Sequence, residues 1–253
     1  MSTPVIVLVA AAGWLAFVLV CRWIRLRWMS HGPGEDPVTV LLCLVVRAYC
    51  RLVHRPTYAG LKHVPETNWP GGLIVVANHT SAIDPLLLQA ACPFEIRWMM
   101  AVEMMTPELD WFWRRQRVIP VARDGSDLAP ARDAIRHVRE GGVIGIFPEG
   151  SIAQPPQEIR PFFSGVGLIV ARAKAPVLLG WISGTPPTPD MMPALTTPSR
   201  ARVEFIDLID FGTQRDAAAI AARLRQRLAE ASGWPLNDEP MVRQPRLADP
   251  FAA

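Results

Sequence analysis

The chain has 253 residues, enough for one sizeable α/β domain plus an appendage. Hydrophobic residues make up 50% of it and the net charge is only +3, so no global basic field argues for nucleic acid as a partner. Its four cysteines, Cys21, Cys43, Cys50 and Cys92, form no Cys-x-x-Cys pair, and no His/Cys cluster has metal-ligand spacing.

The first predicted element is a membrane segment. From Ser2 to Cys21 no side chain is charged, and a run of this length matches the hydrocarbon core of a bilayer. Arg22-Trp23-Ile24-Arg25-Leu26-Arg27-Trp28 follows, a mixture that suits the membrane–water interface and sets the rest of the chain on the cytoplasmic side of the cell membrane. A cleaved signal peptide wants its basic residues before the apolar run, not after it. His31-Gly32-Pro33-Gly34 breaks the helix and Pro37 is placed to open a second. That second helix, Val38 to Val53, is short for a span, so it is expected to lie in the interface or to pack on the domain that follows. Arg47, Arg51 and Arg55 recur every fourth residue along it, and this cluster, like Arg22–Arg27 and Arg114–Arg117, reads as a contact for anionic head groups.

After Pro56 short Val- and Ile-rich runs alternate with helical patterns. Strands are predicted near Thr57–Ala59, Leu73–Ala77, Ile96–Ala101, Val118–Val121, Val143–Phe147, Val177–Ile182 and Ala201–Ile206. Helices are predicted near Pro85–Ala91, Glu108–Phe112, Leu128–Glu140, Val166–Ala173 and Arg215–Ala231. Such alternation predicts an α/β layered domain but leaves the strand pairing open. The chain thus divides into membrane-anchoring helices (1–55), an α/β domain (56–234) and a loosely packed tail (235–253) rich in proline and charge.

Three loops that follow strands carry the unusual residues, where sites in α/β sheets usually lie. The first holds Asn78, His79 and Asp84. Histidine is the natural base for a hydroxyl near neutral pH, and a carboxylate on its second nitrogen fixes its tautomer. Asp84 as a helix N-cap beside an ordinary loop histidine is the alternative. The second loop is Phe147-Pro148-Glu149-Gly150-Ser151, where Glu149 holds an acceptor or shapes the loop, the alternative being a strand-ending turn with a solvated acid. The third, Ile119-Pro120-Val121-Ala122-Arg123, presents an arginine that either forks onto a phosphate or pairs with Asp124 or Asp127. Rival chemistries lack their residues. No Gly-x-Ser-x-Gly elbow, Gly-x4-Gly-Lys loop or His-Glu-x-x-His helix is present, and Gly165-Val166-Gly167 lacks the third glycine of a dinucleotide fingerprint.

Taken in this order, the three motifs resemble the blocks of the glycerolipid acyltransferase family, the His-x4-Asp enzymes that include 1-acylglycerol-3-phosphate acyltransferases. Pro161–Gly167 and Ala175–Gly180 are similar to later segments of the same family, so the resemblance runs from about Pro56 to Ile209. It implies a mixed central β-sheet flanked by helices. It implies His79 as general base with Asp84 orienting it, and Asn78, Arg123, Glu149, Gly150 and Ser151 on the substrate side. It implies acyl-CoA or acyl carrier protein as co-substrate, no cofactor or metal, and a lysolipid acceptor, 1-acylglycerol-3-phosphate foremost. One position departs from the pattern. Ile152 stands where the family commonly has arginine, which keeps an acceptor without that phosphate open. A non-catalytic lipid-binding protein of the same fold and a hydrolase that activates water are the other readings.

Overall fold

The computed structural model describes residues 11–20, 22, 37–66, 71–122, 128–152, 157–188 and 190–239. Seven strands form one mixed sheet: β1 (Thr57–Ala59), β2 (Leu73–Ala77), β3 (Arg97–Ala101), β4 (Ile119–Val121), β5 (Val143–Ile146), β6 (Val177–Ser183) and β7 (Arg202–Ile209). Their order is β1-β7-β6-β2-β5-β3-β4. Only β6 and β7 run antiparallel; the other neighbours are parallel.

The central strand β2 shows why the sheet sits inside. All five of its residues, Leu-Ile-Val-Val-Ala, are buried, as a parallel strand covered on both faces requires. Its alternate side chains serve two cores. Ile74 and Val76 join Ile144, Ile146, Val177 and Leu179 under helices α4 (Ala129–Arg139), α5 (Ser164–Ala173) and α7 (Ala217–Ser232). Leu73, Val75 and Ala77 face α2 (Asp84–Ala91) and the end of α1 (Pro37–Tyr49), with Cys50, Ile83, Leu87 and Leu88. The sheet is also flanked by two shorter helices, α3 (Asp110–Arg115) and α6 (Met191–Thr196); α6 has no counterpart in the sequence expectation.

The predicted membrane segment meets the described residues at 11–20 and Arg22, which are helical and exposed. Among the described residues no helix is long and apolar enough to cross a membrane. The second helix packs on the domain through Val46, Tyr49 and Cys50. Its arginines do not form the expected outward stripe. Arg47 turns inward, where Nε donates to Ala90 O at 3.1 Å and one terminal nitrogen to Cys92 O at 3.0 Å. It thereby satisfies carbonyls at the C-terminal end of α2 that the helix leaves unpaired. The helix then widens into a π-turn at Cys50–His54, and Arg55 takes a left-handed φ of 42°, which breaks the periodicity that the spacing assumed. The tail is also tighter than expected at its start: Ile159 N donates to Pro235 O and Asn237 N to Ile159 O, both at 3.0 Å. Residues 240–253 lie outside the described residues.

Candidate active site

Parallel pairing brings the ends of β2 and β5 side by side, with Val76 opposite Ile146. The loops that follow, Asn78–Ser81 and Phe147–Ser151, therefore share one edge of the sheet, at the carboxyl ends of its strands.

His79 and Asp84 meet there. His79 Nδ1 lies 3.0 Å from Asp84 Oδ2. The Asp84 side chain is completely buried, whereas that of His79 keeps 18% of its surface exposed. Asp84 Oδ2 also accepts from the backbone N–H of Thr80 at 2.6 Å and of Ser81 at 2.8 Å. The carboxylate thus turns back onto the loop instead of forward onto the amides of α2. The N-cap position belongs to Ile83, and no side chain caps it, so the N-cap alternative for Asp84 does not describe this fold. Thr80 Oγ1 donates to the same carboxylate at 3.3–3.4 Å and lies 2.8 Å from Thr185 Oγ1. With Nδ1 held by an acceptor, Nε2 of His79 has no hydrogen-bond partner among the described residues and is the nitrogen able to take a proton.

The imidazole plane is fixed from the side. It stacks on Phe147 at 4.1 Å between centroids, and Phe147 stacks on Trp98 at 5.1 Å. Trp98 fits because its neighbour on β5 is glycine: a Cβ on Gly145 would lie 2.3 Å from Trp98 Cε3. Nothing in the sequence reading assigned Trp98 a part; the signal was a glycine inside a strand, which marks close approach.

The expected substrate-side residues divide. Asn78 is buried and faces the sheet, not a ligand. Its Nδ2 donates to Ile182 O and its Oδ1 accepts from Ile182 N, both at 2.8 Å, so the side chain extends the β2–β6 ladder past Ala77. Glu149 is 1% exposed, and both of its oxygens are engaged by backbone: His79 N–H at 3.1 Å on Oε1 and Arg160 N–H at 3.2 Å on Oε2. This is the loop-shaping alternative. Burial pushes its carboxyl up to about 7, against the pull of those two amides and of the Arg160 charge. Gly150 turns with φ of +72°, and a Cβ there would lie 2.3 Å from Phe163 Cε2. Ser151 and Ile152 are half-buried beside it. Arg123 lies outside the described residues, though β4, which leads to it, is in place. Among the described residues no group of three or more His, Cys, Asp or Glu is placed to hold a metal ion.

A family model described as Acyltransferase matches residues 55–183, half of the chain. The chain belongs to the acyltransferase family. The match contains β1 to β6 and every residue of the His79–Asp84 pair's immediate surroundings save Thr185. Over 176 residues the chain is 27% identical to an N-acylphosphatidylethanolamine synthase of Arabidopsis thaliana, covering 63% of this chain and 62% of that protein. Over 123 residues it is 25% identical to a 1-acyl-sn-glycerol-3-phosphate acyltransferase of Bacillus subtilis (strain 168), covering 47% of this chain and 60% of that protein. The chain therefore spans about three fifths of the length of the curated relatives it matches. The crystal structure of the 1-acyl-sn-glycerophosphate acyltransferase PlsC from Thermotoga maritima shares the fold, with a TM-score of 0.62, 17% identity and 87% of each chain covered.

Proposed function

We propose that this acyltransferase-family chain moves a fatty acyl group from a thioester, acyl-CoA or acyl carrier protein, to the hydroxyl of a lysophospholipid, with 1-acylglycerol-3-phosphate as the leading acceptor. The observation that carries the reading is the His79 Nδ1–Asp84 Oδ2 contact of 3.0 Å, with Asp84 buried, His79 partly exposed and Nε2 without a hydrogen-bond partner among the described residues. In the proposed step Nε2 takes the acceptor proton as its oxygen attacks the thioester carbonyl carbon. The C–O bond forms, the C–S bond breaks, and the imidazolium returns the proton to the leaving thiolate. Asp84 holds the tautomer and stabilises the imidazolium. No acyl-enzyme is required.

Arg123 is proposed to hold the acceptor phosphate, with Gly150 and Ser151 forming the adjacent turn. A membrane location suits a lipid acceptor, and exposed apolar surface supports contact with a lipid surface; the cytoplasmic face is proposed from the sequence of Arg22–Arg27 alone. On the outward side of α1 and the π-turn, Val38, Leu41, Val45 and Leu52 are exposed at near-heptad spacing, and Trp111 on α3 is exposed as well. A lipid surface would cover side chains that water disfavours. The 1–55, 56–234 and 235–253 division is proposed only as an order along the chain, since α1 packs on the α/β domain and residues 235–238 are bonded to it.

A second reading is favoured by Ile152 and by the likeness to an N-acylphosphatidylethanolamine synthase. In it the acceptor lacks a terminal phosphate and offers another hydroxyl or a lipid amine. One experiment separates the two. The protein is incubated with labelled acyl-CoA and a panel of lysophosphatidic acid, other lysophospholipids and phosphatidylethanolamine, and the products are identified by mass. Acylated lysophosphatidic acid, lost in His79→Ala, supports the first reading; an N-acylated product supports the second. Transfer unchanged by His79→Ala sinks the shared mechanism.

A further inference from the structure

Arg225 lies on α7, beyond the residues that the family model matches. Its guanidinium is mostly enclosed and grips two segments at once. Nε donates to Arg160 O at 3.0 Å, and one terminal nitrogen donates to Ile159 O at 3.1 Å and Asn237 O at 2.8 Å. The other pairs with Asp238 Oδ1 at 2.7 Å. Residues 235–237 run parallel to Ile159, with Leu236 bridged to it and Asn237 Nδ2 bonded to Glu158 Oε2 at 2.7 Å. Ile159 itself is fully buried in the first core.

The peptide unit between Ile159 and Arg160 turns this grip toward the site. A trans peptide is planar, with its C=O and N–H pointing opposite ways. The Ile159 C=O is taken by Arg225 and by Asn237 N–H, so the Arg160 N–H must point away from the tail. It points to Glu149 Oε2, and Oε1 of that same carboxylate receives the His79 N–H. We propose that Arg225 and residues 235–238 form a strap that sets the position of His79 through the Ile159–Arg160 peptide and Glu149. Arg225 is a positioning residue: it touches no reacting atom. The inference rests on His79 acting as the base. A lysine at 225 retains the charge but cannot hold adjacent carbonyls with a planar fork.

The test uses the full-length protein in detergent or vesicles. Arg225→Ala and Arg225→Lys are compared with wild type and with His79→Ala for acyl transfer to the acceptor found active, and by amide hydrogen exchange. We expect Arg225→Ala to lower kcat on the order of tenfold or more, since small displacements of a reacting group are costly, with KM for the thioester little changed. Arg225→Lys recovers only part of the loss. The acid limb of the kcat profile moves to higher pH in Arg225→Ala, because losing the Arg160 N–H removes a bond that favours ionised Glu149. The other charges facing Glu149, those of Asp84, Arg160 and any proton on His79, stay in place. The His79 amide exchanges faster in Arg225→Ala, whereas amides within α5 do not. An unchanged kcat and pH profile overturns the strap, as does faster exchange confined to 157–160 and 235–239. If Arg225→Ala fails to fold, Arg225→Lys and Asp238→Ala carry the same comparison. Full activity in His79→Ala defeats the base assignment instead, and the His79 amide exchange then decides on the strap alone.

Discussion

The backbone N–H of His79 donates to Oε1 of Glu149 at 3.1 Å, which joins the loop after β2 to the loop after β5 through one buried carboxylate. Both partners of that carboxylate are donors, the second being Arg160 N–H. The ionised form accepts both as charge-assisted bonds; protonation removes the charge and leaves the hydroxyl oxygen a weaker acceptor for its amide. Its carboxyl titrates at about 7. Transfer is therefore expected to rise with pH through about 7, and Glu149→Gln, which cannot ionise, should lose the share of that rise that comes from Glu149 and reach a lower plateau, while the limb that His79 imposes as base remains. The pH profile of kcat in the two proteins checks this.

The same group makes a prediction for stability with the opposite sense. Burial raises the folded carboxyl from 4.5 to about 7, so between those values the native state binds more protons than the unfolded chain. Stability from this group is fully present below 4.5 and is lost as pH rises to about 7. The slope is at most ~1.4 kcal/mol per pH unit. Urea unfolding at pH 5 and pH 7.5 should show wild type gaining on Glu149→Gln by on the order of 2–3 kcal/mol at the lower pH. An equal gap at both values contradicts it.

His79 and Asp84 should separate in kind. His79→Ala removes the base and is expected to lower kcat by roughly 10²–10⁴. Asp84→Asn is expected to do comparable harm and also to destabilise. His79 Nδ1, Thr80 N–H and Ser81 N–H all meet the one oxygen Oδ2, so an amide oxygen placed there keeps the contacts but loses the charge that strengthens each of them, in a fully buried place. Thermal unfolding distinguishes them: His79→Ala should melt near wild type, Asp84→Asn several degrees lower.

Asn78 is expected to behave as structure. Asn78→Ala strips Ile182 of both partners in a buried place, at a cost of about 2–4 kcal/mol. Activity per folded molecule should fall far less than in His79→Ala. A loss of kcat equal to that of His79→Ala, with unchanged stability, would return Asn78 to the substrate.

Gly145→Ala tests the aromatic stack at a distance. The added Cβ meets the Trp98 ring at 2.3 Å, so Trp98 must leave Phe147, and Phe147 loses the backing that holds it on His79. Overpacking of this kind costs about 1–3 kcal/mol. Trp98→Leu should relieve the ring contact and leave Ile96 Cγ2 at 2.8 Å to give way, so the double variant is expected to be more stable than Gly145→Ala alone. Additive losses in stability would show that the ring is not what the methyl meets.

The strands β2, β5, β6 and β7 were legible because each holds a short run rich in Val, Ile or Leu between turn signals, and β1 (Thr-Tyr-Ala) and β3 (Arg-Trp-Met-Met-Ala) stood out by aromatic or apolar residues beside such signals; the His79–Asp84 pair was legible because strand, loop and helix follow in close order. The orientation of Asn78 was not legible. A polar residue after a strand reads as site lining until the pairing of β2 with β6 is known, and pairing leaves no mark in one strand's pattern. Glu149 failed the same way: its partners, His79 and Arg160, lie far away in sequence or on a separate loop. The arginine stripe of the second helix misled because fourfold spacing holds only while the helix keeps α geometry, and the π-turn at Cys50–His54 ends it. The tail misled because proline and charge describe residues 235–239 but not the carbonyl partners that α7 offers them through Arg225.

Strand β1 has a single neighbour in the sheet, β7, and its register sets Thr57 against Arg202. On the ribosome this means that α1 and β1 emerge long before the strand that will receive them exists. During that interval α1 has only local partners to pack on, and the sheet closes around β1 afterwards. Loop closure over so long a separation is slow relative to local helix formation. Three residues make a poor template for a foreign strand, so β1 can wait with little danger of mispairing. The order of synthesis would then have this edge of the sheet close only after the strands that carry His79 and Glu149 have emerged.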